Sequence, residues 1–122
     1  MSFHVVAMSE QEFKTWLARE SGPAALPRDP LAQQGMMLFL SHGCGACHTI
    51  RGTEAAGTIG PDLTHIGGRT SLAAATLPNT EAAFARWIRD NQHIKPDNLM
   101  PPFRIFNDSE LAALSRYMAG LK

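Results

Sequence analysis

Two cysteines and a histidine stand together before the middle of the chain, in the sequence Cys44-Gly45-Ala46-Cys47-His48. The pattern C-x-x-C-H is the attachment motif of c-type haem. One tight helical turn can carry both thiols to two vinyl groups of a porphyrin and place the histidine under the iron. The two small residues between the cysteines let the macrocycle lie against the backbone. The motif therefore predicts one covalent haem c, held by Cys44 and Cys47, with His48 as an iron ligand.

Two other uses of a C-x-x-C pair stay open as alternatives. A structural zinc site needs two further ligands, and the chain has no second pair of cysteines. His42 and His48 could supply them, but the four residues lie too close in sequence for an ordinary zinc finger. A dithiol redox pair of the thioredoxin kind needs a βαβ setting, whereas the surrounding sequence favours helix and glycine-rich loop.

The second axial ligand of a haem iron must come from elsewhere in the chain, and Met100 is the best candidate. It precedes Pro101 and Pro102, so its backbone is pushed out of the α region into an extended conformation. The two prolines then stiffen the loop that presents it. A stiff loop suits the weak bond between iron and a thioether sulfur.

Other methionines and histidines compete for this position. Met36, Met37 and Met118 lie on predicted helices, where a methionine more often fills the core than binds a metal. His65 and His93 are the rival imidazole ligands, and each is more typical of a surface or hydrogen-bonding histidine.

The elements that must position these residues are marked by helix caps. The caps are Ser9 with Glu12, Asp29 before Pro30, Asn79 or Thr80, and Asn107 with Glu110. Residues 41–70 are rich in glycine and residues 91–106 contain three prolines, so we expect loops there. The only strand predicted covers residues 1–8, because Phe3, Val5 and Ala7 alternate along it. The first helix should place Phe13, Trp16 and Leu17 on one face.

Composition limits the class of protein. The 122 residues fit one domain, or one domain with an appendage. Eleven basic and eleven acidic side chains give zero net charge, which argues against a nucleic-acid-binding protein. No apolar run approaches the roughly 18 residues of a membrane span. No signal peptide is visible, so we expect a mature form or an excised fragment if the protein works outside the cytoplasm.

Residues 31–122 resemble a class I cytochrome c domain. Gly35, Phe39 and Tyr117 match that family's contact between its terminal helices, where a glycine lets an aromatic ring approach closely. The resemblance implies an all-α, class I cytochrome c fold around one covalent haem, preceded by a short strand-helix remnant.

The same family has a proline, after the haem motif, whose carbonyl accepts a hydrogen bond from the haem-binding imidazole. Gly60-Pro61-Asp62-Leu63 resembles that segment. The resemblance therefore implies that Pro61 orients His48. It further implies that Trp87 lies near a haem propionate and that Arg69 does similar work.

A narrower resemblance points to the haem domain fused to subunit II of caa3-type cytochrome c oxidases. Residues 98–103, followed by a capped helix, are similar to that domain, and residues 3–17 resemble the end of the dicopper (CuA) domain of the same subunit. That family's last copper ligand is a methionine eight residues before the serine that starts a short helix. Met1 holds this position relative to Ser9, either as that ligand or as an initiator methionine. The other copper ligands of the family lie upstream, so we do not expect this chain to bind CuA copper.

The resemblance implies three segments: a CuA-domain remnant at 1–20, a linker at 21–30 and a cytochrome c domain at 31–122. It implies an electron carrier, not an enzyme by itself, that lies in the periplasm or at the outer face of the cytoplasmic membrane and is tethered through upstream membrane spans. Its partners would be a donor such as a cytochrome c or other small redox protein, the CuA domain of the same subunit, and oxidase subunit I. A free-standing soluble cytochrome c is the alternative function. A haem enzyme or gas sensor with an open iron position is another.

Charge balance leads to a first prediction. Residues 31–122 carry eight basic and seven acidic side chains, a difference of +1 before the haem propionates are counted. Long-range steering is therefore weak, and we expect the donor contact to use an apolar patch around the haem edge. The rate of electron transfer from the donor, measured by stopped-flow absorbance, should change little with ionic strength. A steep fall in rate with added salt would contradict this.

Overall fold

The structure is a computed structural model that describes residues 5–122. Within this range the chain forms four α-helices, two short 3-10 turns and one two-stranded hairpin. The helices are α1 (Glu10–Glu20), α2 (Pro30–Ser41), α3 (Glu81–Ile94) and α4 (Asp108–Gly120). The 3-10 turns cover Cys44–Ala46 and Ile66–Gly68, and the hairpin pairs β1 (Ser71–Leu72) with β2 (Leu77–Pro78). The predicted all-α class is confirmed, and no helix in residues 5–122 is long and apolar enough to cross a membrane.

Each helix begins at a predicted capping residue. Ser9 and Asn107 form reciprocal capping boxes, in which the cap side chain and a glutamate three positions later each accept the other's backbone N–H. Asp29 caps α2 by accepting a backbone N–H at 2.9 Å. Thr80 caps α3, whereas the Asn79 amide donates to two carbonyls of the preceding loop. Because caps satisfy backbone groups that the helix leaves unpaired, these short side chains define where each helix starts.

The core centres on the crossing of α2 and α4. A Cβ atom added at Gly35 would lie 2.0 Å from the carbonyl oxygen of Ala113, so this approach requires glycine. Phe39 and Tyr117 meet edge to face beside it, with ring centroids 6.1 Å apart. Burial raises the pKa of Tyr117 to about 12. Helix α3 packs on α4 as well, and Phe84 joins the same buried cluster.

The predicted N-terminal strand is wrong where the structure describes it. Residues 1–4 of that prediction lie outside the described residues. Residues 5–9 have no regular structure, and Val5 and Val6 are exposed. A strand needs a neighbour to pair its backbone groups, and within residues 5–122 no segment pairs with this one.

The β1–β2 hairpin lies inside the segment where no strand was predicted. Leu72 pairs with Leu77, and both side chains are buried. Ala73, Ala74 and Ala75 turn the chain with φ angles of 50°, 58° and 68°, in the left-handed region. A strand of two residues is too short to show alternation in the sequence. The hairpin forms because it buries the two leucines.

Helix α3 extends past its predicted end. A loop was expected from Asn91 onward, but the helix continues to Ile94, although its backbone departs from helical angles at Asp90 (φ −153°, ψ 64°). Lys95 then adopts φ −140° and ψ 89°, as expected for a residue that precedes a proline. Pro96 therefore ends the helix.

Helix α1 lies outside the core of the described chain. None of its residues is buried, and the predicted apolar face of Phe13, Trp16 and Leu17 is 47%, 40% and 49% exposed. The rings of Phe13 and Trp16 contact each other, with centroids 5.7 Å apart. The helix is therefore held by its caps and its connection to the core rather than by burial of this face.

The crossing at Gly35 leads to a stability prediction. Gly35→Ala should lower the free energy of unfolding by about 3 kcal/mol, because the new methyl group meets a rigid backbone carbonyl. Chemical denaturation of the haem-loaded protein measures this. Gly120→Ala is the control, since no atom lies within 4 Å of its added Cβ. That variant should stay within about 1 kcal/mol of wild type, and an equal loss in both variants would contradict the explanation.

Candidate haem site

The two cysteines and the histidine lie on one 3-10 turn directly after α2. Gly43 starts the turn with a φ of 75°, and the N–H of His48 donates to the carbonyl of Cys44 at 3.0 Å. Both cysteines are half-buried, and neither forms a disulfide. Burial raises the pKa of Cys44, so this sulfur keeps its proton at neutral pH. The thiol S–H is the group that adds across a vinyl double bond to form a thioether.

The His48 ring is oriented by the loop that follows the turn. Its Nδ1 atom lies 2.8 Å from the carbonyl oxygen of Pro61. A carbonyl only accepts, so Nδ1 carries the proton and Nε2 keeps a free lone pair for a metal. The imidazole is therefore in the tautomer that iron ligation requires.

Glycines let this loop wrap the turn closely. A Cβ added at Gly60 would lie 2.4 Å from Cε1 of His48, and one added at Gly57 would lie 2.3 Å from the carbonyl oxygen of Ala46. The N–H of Gly60 also donates to the carbonyl of Cys47 at 2.7 Å. The sequence analysis assigned these glycines no role, although the glycine-rich character of the segment was a signal of close backbone approach.

Asp62 anchors the far side of the same loop. Its carboxylate forms an ion pair with Arg51 at 2.5 Å. It also accepts hydrogen bonds from the N–H and the hydroxyl of Thr64, at 2.8 and 2.5 Å. Burial opposes ionisation of Asp62, but the hydrogen bonds from Thr64 and the charge of Arg51 outweigh it, so its pKa lies below the usual value. The Asp62 backbone carbonyl also accepts from Arg69 at 2.9 Å. Pro61, the neighbour of Asp62, is thereby held in place.

The loop that carries Met100 is held by three side-chain amides, of which one is buried. Asn91, which is 0% exposed, donates to the carbonyl of Pro101 at 3.2 Å and accepts from the amide of Asn98 at 3.0 Å. Gln92 donates to the carbonyls of Asn98 and Met100 at 2.7 and 3.2 Å. The Met100 N–H in turn donates to the Asn98 side chain at 3.0 Å. The backbone of Met100 is thus fixed, and its thioether takes no part in this network.

The role of these three side-chain amides was not predicted from the sequence. The stiffness of the loop was attributed to its prolines alone. The sequence did contain a signal for this role. Asn91 and Gln92 directly follow the apolar residues of α3, where a polar side chain must face either solvent or the backbone of a neighbouring loop.

The rival iron ligands have other surroundings. His65 places Nε2 3.2 Å from the carbonyl of Gly22, and His93 is exposed on the last turn of α3. Met118 is buried in the core and Met37 is exposed on α2. Met36 is half-buried and packs against the core cluster.

His42, considered as a zinc ligand, has partners of its own. Its Nδ1 lies 3.1 Å from the carbonyl of Leu38, and its ring meets Phe106 edge to face, with centroids 4.8 Å apart. In residues 5–122 no group of three or more His, Cys, Asp or Glu side chains is arranged to hold a metal ion.

The two residues predicted to lie near a haem propionate occupy different environments. Trp87 is half-buried and packs against the core cluster. Arg69 is exposed, and its guanidinium points to the loop of Asp62. Their propionate contacts stay predictions.

The positions of the cysteines and of His48 fit a covalently attached haem. Two free thiols share one turn with an imidazole whose Nε2 is available. The glycine at position 60 leaves no side chain between that imidazole and the loop behind it.

Comparison with known proteins identifies the family of the chain. The family model for cytochrome c matches residues 32–122. The chain belongs to the cytochrome c family, whose members carry a covalent c-type haem and transfer electrons.

The chain is also similar over its whole length to curated proteins named cytochrome c oxidase subunit 2. It is 33% identical to that of Alkalihalophilus pseudofirmus over 122 residues and 36% identical to that of Bacillus subtilis over 127 residues. It is 26% identical to that of Bacillus sp. strain PS3. In each case the match covers 100% of this chain and 35% of the relative. The chain therefore spans about a third of these relatives, and the similarity supports a cytochrome c domain of an oxidase subunit II.

The environment of Asp62 leads to a pH prediction. Because its pKa is lower in the folded than in the unfolded chain, ionised Asp62 stabilises the fold above the unfolded-state pKa, and this stabilisation is lost as pH falls through the folded-state pKa. The free-energy difference between wild type and Asp62→Asn should therefore be largest near neutral pH and shrink below about pH 4.

Urea denaturation of the haem-loaded proteins between pH 7 and pH 2 measures this difference. Glu54→Gln, which alters an exposed acid outside the Asp62 network, is the control for general charge effects. A difference for Asp62→Asn that stays constant down to pH 2 would show that the carboxylate does not contribute through its ionisation.

Proposed function

We propose that this chain is a one-electron relay in which His48 and Met100 bind the two faces of a haem iron held by Cys44 and Cys47. Electrons enter from a periplasmic donor and leave to the CuA centre of the same oxidase subunit. In this proposal residues 1–20 are the end of a CuA domain, 21–30 are a linker and 31–122 are the cytochrome c domain. The domain then works at the outer face of the cytoplasmic membrane, beside oxidase subunit I.

The observation that carries the proposal is the hydrogen bond between His48 Nδ1 and the Pro61 carbonyl at 2.8 Å. It sets the tautomer, fixes the plane of the ring and increases the basicity of Nε2. An imidazole held in this way, one residue after the second thiol, is prepared to bind the iron of an attached haem. A histidine that served only to pack or to hydrogen-bond with solvent would not need the space that Gly60 leaves.

Support for Met100 as the second ligand comes from the amide network around it. Two hydrogen bonds join its backbone N–H and carbonyl to Asn98 and Gln92. The backbone is ordered without the help of the thioether, which stays available. The iron–thioether bond is weak, so a pre-formed loop reduces the entropy that ligation would otherwise cost.

The residues at the site favour electron transfer over oxygen chemistry. The haem, when bound, supplies an iron that gains or loses one electron. A chain that provides a ligand on each face leaves no open coordination position for oxygen or peroxide. A thioether ligand and a site shielded from water raise the reduction potential, which suits donation to a high-potential acceptor.

Exposed apolar side chains provide a surface for the donor. Ile59 and Leu99 lie next to the loop segments of Pro61 and Met100, and Ile105 follows on the second of these loops; all three are among the most exposed large apolar residues. Exposed large apolar side chains are typical of a surface that binds a partner protein. With a nearly balanced charge, such a contact would rest on apolar complementarity rather than on steering.

The oxidase assignment is supported by the part of the chain outside the cytochrome c family match. Residues 1–31 lie before that match, yet the similarity to cytochrome c oxidase subunit 2 covers 100% of the chain. A free-standing soluble cytochrome c would not require this similarity. The relay to CuA is therefore favoured over the free carrier.

The axial ligand can be tested by Met100→Ala. The oxidised wild-type protein should show the weak near-red absorption band of a bond between methionine sulfur and ferric iron. Met100→Ala should abolish the band and let cyanide bind the iron, since one coordination position opens. Optical spectroscopy of the oxidised proteins with and without cyanide measures both.

Met37→Ala is the matched control, because this methionine is exposed on α2 and should leave the band and the cyanide resistance unchanged. His65→Ala and His93→Ala examine the rival imidazole ligands in the same way. If Met100→Ala retains the band, Met100 is not the ligand.

A further inference from the structure

Residues 20–24, here called the strap, join α1 to the rest of the chain. These residues lie mostly in the linker predicted at 21–30, which contains three prolines, and a proline-rich linker normally acts as an extended, semi-rigid spacer. In the structure the strap instead lies on the loop of residues 51–65, which also carries Pro61. Carbonyl and amide groups of the strap form hydrogen bonds with Arg51 of that loop.

Arg51 makes most of the polar contacts to the strap. Its Nη2 donates to the carbonyl of Glu20 at 2.5 Å, its Nε donates to the carbonyl of Gly22 at 3.2 Å, and its Nη1 pairs with Asp62 at 2.5 Å. The guanidinium holds its donors in one fixed plane and reaches these three acceptors from three different nitrogens, whereas an ammonium group has a single nitrogen. His65 adds a third side-chain contact to the strap, since its Nε2 lies 3.2 Å from the same Gly22 carbonyl.

The guanidinium also completes the end of α1. Glu20 is the last residue of the helix, and its carbonyl is one of those that the helix leaves without an internal partner. A cation at this end is favourable to the helix dipole. Arg51 therefore contacts α1 itself as well as the segment that follows it.

Backbone contacts complete the docking of the strap. The N–H of Ala24 donates to the carbonyl of Arg51 at 2.8 Å. Pro23 packs against Gly52, where an added Cβ would lie 2.9 Å from the Pro23 side chain and where φ is +90°. The turn after Arg51 is thus shaped to receive the strap.

The same arginine is joined to the loop that orients His48. Asp62, its ion-pair partner, directly follows Pro61, whose carbonyl lies 2.8 Å from Nδ1 of His48. Arg51 also donates its backbone N–H to Thr64, which binds the other oxygen of Asp62. One side chain therefore connects the end of α1 with the loop behind the haem-binding imidazole.

We propose that Arg51 is a positioning residue that fixes the strap on the His48 side of the cytochrome c domain, so that α1 keeps one orientation relative to the haem. The segment between α1 and α2 then acts as a rigid connection and not as a tether. This inference does not depend on Met100 as a ligand or on the identity of the donor.

The test compares Arg51→Gln with wild type in the full haem-loaded chain. The exchange rate of the Ala24 amide hydrogen should rise at least tenfold, while that of Ile50, whose N–H donates to Ala55 inside the domain at 3.0 Å, should change less than twofold. In the oxidised protein, pseudocontact shifts of the α1 amides should shrink, because the helix samples many orientations relative to the paramagnetic iron. If Arg51 only stabilised the domain as a whole, Arg51→Gln would raise the exchange rates of both amide hydrogens. The pseudocontact shifts of the α1 amides would then still fit one orientation of the helix.

Two further variants make the result decisive. Arg89→Gln removes an exposed arginine of similar kind, paired with Asp108 between α3 and α4, and should leave the Ala24 exchange rate unchanged. Arg51→Lys keeps the positive charge but lacks the planar guanidinium, and it should raise the exchange rate of the Ala24 amide hydrogen at least threefold. If Arg51→Gln does not fold with haem, Arg51→Lys is tested in its place. The proposal is wrong if Ala24 exchanges within twofold of wild type in both Arg51 variants, or if Arg89→Gln has the same effect.

Discussion

Helices α2 and α4 cross at a separation that only a residue without a side chain permits. The backbone of α4 at Ala113 occupies the space where a Cβ of Gly35 would stand. This contact joins the first and last helices of the cytochrome c domain, so the long segment between them must close back on itself. Only two residues separate the end of α2 from the turn of Cys44, and the crossing therefore also decides where the thiols and His48 lie.

Most of the site lies on loops, whose backbone groups must find partners that a helix would supply automatically. Two sets of side chains provide them. The amides of Asn91, Gln92 and Asn98 support the loop of Met100. Charged and hydroxyl groups centred on Asp62 support the loop of Pro61. The two iron ligands proposed here thus rest on chemically different supports, one neutral and one ionic, and only the ionic support responds to acid.

Features with local signals could be predicted from the sequence. The turn at residues 44–48 and the four helix starts each depend on a few neighbouring residues, and the structure has helices at all four predicted starts. The particular partners of Asn91 and Arg51 could not be predicted, because each side chain binds backbone 10 to 31 residues away in sequence. The strand prediction at residues 1–8 failed for a related reason: alternation indicates a strand only if a partner exists, and none is present in the described part of the chain.

The exposed apolar face of α1 has a colloidal consequence. Phe13, Trp16 and Leu17 present adjoining apolar surface to water, and the whole chain has a formal net charge of zero at pH 7. Molecules without net charge do not repel one another, and an apolar face then favours self-association. The polypeptide without haem is therefore expected to be least soluble near neutral pH, and moving the pH away from neutrality restores the repulsion that keeps single copies apart.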